Sequence, residues 1–176
     1  MHSVTFSLAA LVAGAYAQVQ SESILGADDD GKFWIHGDGI SAAFVPYGAS
    51  LANFLIADKN GVVRDITTGF DNATHYTIDT RHDHFGGVPG RYANRIRNST
   101  FEVDGIEYHT TPNDNPTEEH PDGLNTLHGG PDGWDWRNFT VVAHTNSSIT
   151  FSFSMRTASK GFPATSSRTS RTRSTG

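Results

Sequence analysis

The 176-residue sequence has no cysteine, so no disulfide can brace it and the fold must be held by burial alone. A chain above roughly 100 residues can bury enough surface to do so. No apolar run approaches the roughly 18 residues that a membrane-spanning helix needs, which predicts a soluble protein without a membrane partner. Charge is sparse as well: 18% of residues are charged and the formal net charge is −6, giving no basis for nucleic-acid binding. Apolar spacing of the helical kind is hard to find anywhere. The sequence has no Asp or Glu after Asp135.

The first seventeen residues carry no Lys or Arg. Val4 to Ala15 is nevertheless mostly apolar or small, and it ends in Ala15-Tyr16-Ala17, a small-x-small pattern that a signal peptidase accepts. Residues 1–17 therefore read as a signal peptide and the protein as secreted, the other reading being a buried first strand or helix. Asn72-Ala73-Thr74, Asn98-Ser99-Thr100, Asn138-Phe139-Thr140 and Asn146-Ser147-Ser148 are acceptors for N-linked glycans, consistent with a secretory route.

Beyond residue 17 the turn residues recur at short intervals, and the chain reads as all-β. Ile40 to Tyr47, Leu51 to Ala57 and Val62 to Ile66 are strand candidates, the last two joined by an Asn60-Gly61 hairpin turn. Phe101–Val103 and Ile106–Tyr108 flank Asp104-Gly105 in a second hairpin. Ile149, Phe151, Phe153 and Met155 alternate with polar residues, the period of a half-buried strand. Short strands of this kind predict a β-sandwich. After Met155 only Ala158, Phe162 and Ala164 are apolar, so residues 164–176, rich in Ser, Thr and Arg, are expected to be a disordered tail.

Two segments concentrate chemistry. Gly90-Arg91-Tyr92-Ala93-Asn94-Arg95-Ile96 supplies fixed, permanently charged donors, and Leu127-His128-Gly129-Gly130 supplies an imidazole that both donates and accepts. From composition alone these read as surface arginines and a hydrogen-bonded turn histidine; the ordered set of motifs is what favours a site. Trp134 and Trp136 suit either sugar stacking or core packing. His82-Asp83-His84 reads as a polar loop rather than a metal site, because no second cluster with ligand spacing follows. The acidic stretch Asn113 to Gly123 reads as a surface insertion. Calcium binding by Asp114, Glu118, Glu119 and Asp122 lacks the residue order of an EF-hand. No metal or organic cofactor is expected.

Taken in order, the segments resemble the aldose 1-epimerase (galactose mutarotase) family. Tyr47-Gly48-Ala49, Arg64-Asp65-Ile66 and Gly69-Phe70-Asp71 are similar to its early pattern, and His84 to Pro89 followed by Gly90 to Ile96 is similar to its Phe-Gly…Gly-Arg-x-Ala-Asn-Arg-Ile segment. The hairpin Phe101 to His109 and Leu127 to Gly130 with Gly133, Trp134 and Trp136 complete the order. The resemblance implies a galactose mutarotase-like β-sandwich (supersandwich), of which residues 18–163 would be the N-terminal part, and an isomerase acting on a small aldose such as galactose or glucose.

It also implies that Asn94, Arg95 and His128 contact the sugar, with Arg95 and His128 polarising the ring, and that Gly129 and Gly130 let backbone approach it. The family's acid, a second histidine, and its base, a late glutamate, have no counterpart here. Gly161-Phe162-Pro163 resembles a family segment that leads into further strands, so a truncated or frame-disrupted gene product is one expectation. The alternative function is a carbohydrate-binding remnant without turnover. In a halved sandwich the Phe151–Phe153 strand is expected at an exposed edge.

Overall fold

The computed structural model describes residues 25–78, 84–155 and 166–173. The expected signal peptide, His82, Asp83 and the Gly161-Phe162-Pro163 segment lie outside them.

Strands β1 (Phe33–Gly37), β2 (Ile40–Val45), β3 (Ser50–Ala57) and β4 (Val63–Asp65) form a four-stranded antiparallel meander in chain order. A helical turn, α1 (His75–Ile78), follows, then the short strand β5 (Arg95–Ile96) and the hairpin β6 (Thr100–Val103) and β7 (Ile106–His109). Strand β8 (Thr126–Leu127) returns to pair with β5. Finally β9 (Thr140–His144), β10 (Ser148–Met155) and β11 (Ser166–Arg173) make a three-stranded sheet with β10 in the middle.

The two larger sheets face one another. Ile35, Ala42 and Phe44 from the first meet Ile149 and Phe151 from the second, with Ala49, Trp134 and Phe139 closing the cluster. Phe151 is 2% exposed and its ring lies 6.4 Å from that of Phe44. A second cluster of Val45, Ala52 and Tyr76 covers the opposite face of the meander, with Phe70 and Phe85 packed against it. Strand β2 is thus buried on both sides, which is why its sequence runs Ala42-Ala43-Phe44-Val45 without alternation. Asp65 ties β3 to β4, accepting a hydrogen bond from the Phe54 backbone N–H at 3.0 Å and from the Asn53 side-chain amide at 2.5 Å.

Two expectations change. Residues 166–173 pair along all of β10, from Ser148 opposite Arg173 to Met155 opposite Ser166. Backbone hydrogen bonds sustain such pairing without apolar side chains, and a segment alternating Ser, Thr and Arg carries no Gly or Pro to interrupt it. Phe151–Phe153 is consequently central rather than at an edge. The Asp58–Gly61 turn is also not the two-residue type, since only Gly61 has positive φ, at 80°. The Asp58 carboxylate accepts from the N–H groups of Asn60 and Val62, at 2.8 and 3.0 Å, which favours the longer loop. At Asp104-Gly105 both residues have positive φ, 52° and 77°, as the expected tight hairpin requires.

Because Phe151 joins both sheets, Phe151→Ala is expected to destabilise the fold by about 3–5 kcal/mol. Urea unfolding should show this as a lower midpoint with an unchanged slope.

Candidate functional site

The pairing of β5 with β8 sets Arg95 opposite Leu127 and therefore brings Asn94 to His128. Two bonds lock that meeting. The His128 N–H donates to the Asn94 carbonyl at 3.0 Å, and the Asn94 N–H donates to His128 Nδ1 at 3.0 Å. All three residues singled out in the sequence thus come together in the fold.

Because Nδ1 accepts from a backbone amide, the proton of neutral His128 must sit on Nε2. The residue is then a hydrogen-bond donor toward the site. Partial burial, reinforced by the neighbouring His84 and by Arg95, lowers the His128 pKa below 6.5, while Asp135 pulls it the other way. The lowered value keeps the donor tautomer in place at neutral pH.

Arg95 is held by Asp114, the residue that the sequence assigned to a surface insertion. Its Nε donates to Asp114 Oδ2 at 2.7 Å and its Nη2 to Oδ1 at 3.3 Å, while Nη1 donates to Asn94 Oδ1 at 3.1 Å. These three bonds leave two of the five guanidinium N–H groups for other partners. The hydrogen bonds from Arg95 hold the Asp114 carboxyl below the usual carboxylate range. Asn113 fixes β8 beside it, accepting from the Leu127 N–H at 2.7 Å and donating to the Leu127 carbonyl at 3.1 Å. The start of the acidic stretch is therefore part of the site's support, whereas Glu118, Glu119 and Asp122 are exposed. Among the described residues no group of three or more His, Asp or Glu side chains is placed to hold a metal.

His84 and Asp135 also belong here, and sequence reasoning missed both. Asp135 is 1% exposed and its Oδ2 bonds to His84 Nδ1. The His84 ring stands edge-on to His128, with centroids 4.6 Å apart and planes at 69°, and Trp136 flanks it at 5.8 Å. The available signal was position: His84 directly precedes the Phe-Gly that leads into the arginine segment, and Asp135 lies between the two tryptophans. Those tryptophans separate in role. Trp134 is buried in the core, with Gly90 against its indole, and Trp136 stands half-buried at the site. Gly129 has φ 91°, and a side chain there would strike the Gly90 carbonyl, so glycine is what lets the two segments touch.

The turns of the β-sandwich thus gather an amide, a guanidinium and an imidazole donor around one site. The sequence model of aldose 1-epimerase matches residues 34–167. A probable aldose 1-epimerase of Arthroderma benhamiae is 47% identical over 122 residues, covering 68% of this chain and 26% of the relative. The galactose mutarotase of Bos taurus is 32% identical over 139 residues, 79% of this chain and 37% of its own length. Among solved structures, the GalM/aldose epimerase homologue from C. elegans superposes with a TM-score of 0.67 at 32% identity, covering 80% of this chain and 41% of that one. The chain belongs to the aldose 1-epimerase family. It spans between about a quarter and two fifths of the length of these relatives.

Histidine ring NMR checks the tautomer. His128 should titrate below the ordinary histidine value with its proton on Nε2, so folding is favoured above that value and loses this contribution as pH falls through it, where the unfolded chain takes up the proton first. A midpoint above 6.5 would refute the assignment.

Proposed function

We propose that the chain binds the ring of an aldose such as galactose or glucose and serves interconversion of its α and β anomers, as an isomerase of the aldose 1-epimerase type. The observation that carries this reading is the Asn94, Arg95 and His128 set, tied together by its own hydrogen bonds while N–H groups of Arg95 and His128 Nε2–H are left for sugar oxygens. In mutarotation a base takes the anomeric hydroxyl proton while an acid protonates the ring oxygen; the C1–O5 bond breaks and the ring recloses on the other face. Donors fixed at the ring oxygen lower the cost of the charge that develops there. No cofactor is required.

A second reading is binding without turnover, in which Asn94, Arg95 and His128 hold the sugar ring through their free donors and no proton is transferred. Polarimetry on freshly dissolved α-galactose separates the two. Protein should hasten anomeric equilibration beyond buffer, and Arg95→Ala or His128→Ala should each remove most of the gain. Saturable binding with a buffer-like rate selects the second reading; absence of both defeats the two together.

We further infer that the protein is secreted and carries N-linked glycans. The apolar stretch ending at Ala15-Tyr16-Ala17 supports this, and so do the exposed positions of Asn98, Asn138 and Asn146. Asn72 is half-buried and its amide donates to Asp30 at 3.4 Å, which makes it the weakest acceptor of the four. Protein collected from the medium of a eukaryotic host should lose mass on treatment with peptide N-glycosidase, and retention inside the cell without glycans would sink the inference.

A further inference from the structure

His84 is not among the residues that the family resemblance marks as sugar contacts, yet the fold builds a support for it. Its Nδ1 is bonded to Asp135, a carboxylate 1% exposed, while the His84 side chain itself keeps 20% of its surface. A carboxylate can only accept, so the proton of neutral His84 lies on Nδ1, and Nε2 is the nitrogen left with a free lone pair. The ring is confined on two sides, by the edge-on ring of His128 at 4.6 Å and by Trp136 at 5.8 Å. The backbone adds to this. His84 has φ 61° and His128 φ 51°, left-handed conformations that the neighbouring packing has to hold in place.

Behind His84 there is no slack. A side chain at Gly87, on the loop that carries His84, would come within 2.8 Å of Asp135 Cβ, and one at Gly48, on the β2–β3 turn, within 2.7 Å of the Asp135 carbonyl, so both segments are packed directly against Asp135. A surface histidine in a polar loop would need none of this support. Its neighbour His128 offers a donor at Nε2, whereas His84 offers an acceptor, and a sugar hydroxyl next to both has a partner for its oxygen and a partner for its proton.

We propose that His84, oriented by the buried Asp135 carboxylate, is a further sugar-contacting residue of this site, its Nε2 accepting a hydrogen bond from a sugar hydroxyl beside His128. The inference rests on the sugar reading given above. It adds to the donors Asn94, Arg95 and His128 the one acceptor that a hydroxyl ligand also needs.

The test uses the full chain with ring nitrogens of histidine labelled by ¹⁵N, titrated with galactose. The His84 Nε2 resonance should move in step with saturation of His128, while His84 Nδ1, held by Asp135, stays nearly still. His84→Phe, which keeps a flat ring between His128 and Trp136 without the nitrogens, should weaken galactose binding about tenfold, as loss of one hydrogen bond to the ligand implies. If that variant does not fold, the nitrogen shifts of the unaltered chain decide alone. Movement of His128 with a stationary His84 would overturn this proposal and leave the sugar reading intact. Silence of both rings, with no binding, would overturn both.

Discussion

The rest of the site depends on one buried charge, the carboxylate of Asp135. Leaving a carboxylate inside a protein is costly unless hydrogen bonds and close packing compensate for lost water. Here compensation comes from His84, and it dictates where three separate pieces of chain must lie. The turn through Gly48, the loop through Gly87 and the corner at Gly133 all close on Asp135, each so tightly that a side chain in place of the glycine would come under 3.0 Å from it. Trp134, next to it in sequence, enters the core between the two sheets, so the short helical turn Trp134–Trp136 anchors the sandwich and seats the site.

How much of this was legible in the sequence depends on the range of the interaction. Strands β2, β3 and β4, the tight hairpin at Asp104-Gly105 and the alternating strand at Ile149 to Phe153 follow from local patterns and turn residues, although the β3–β4 turn is longer than its Asn60-Gly61 pair suggested and Phe151–Phe153 lies inside its sheet. Strand β1 (Phe33–Gly37) left no clear signal because its inward residues are few and its neighbour supplies the pairing. Strands β5 and β8, two residues each, are products of tertiary contact. The pairing of Ser166–Arg173 with β10 is similar in kind, since it satisfies backbone groups and needs no apolar side chain.

The same distinction runs through the site. Asn94, Arg95 and His128 were legible because an ordered set of short segments carried them. Their partners were not. Asp114 lies 19 residues from Arg95 and Asp135 lies 51 residues from His84, and in a stretch rich in Asp, Glu and Asn nothing local distinguishes the one carboxylate that meets a guanidinium from those left in solvent. A residue that positions another is recognised by the contact it makes, and that contact is a property of the fold.

Three non-glycine residues of the site, His84, Asn94 and His128, sit at φ 61°, 63° and 51°. Each such conformation costs about 1 kcal/mol or more, and His and Asn are among the residues that tolerate it best. What offsets the cost is specific: the paired bonds between Asn94 and His128, and the bond between His84 and Asp135. Those bonds also set the roles of the neutral rings: an amide at Nδ1 of His128 makes that ring a donor at Nε2, and a carboxylate at Nδ1 of neutral His84 leaves its Nε2 as an acceptor. The strained backbone and the division of donor from acceptor therefore have one cause, since the conformations that bring the two rings edge to edge are the ones in which each ring's inner nitrogen is already spoken for.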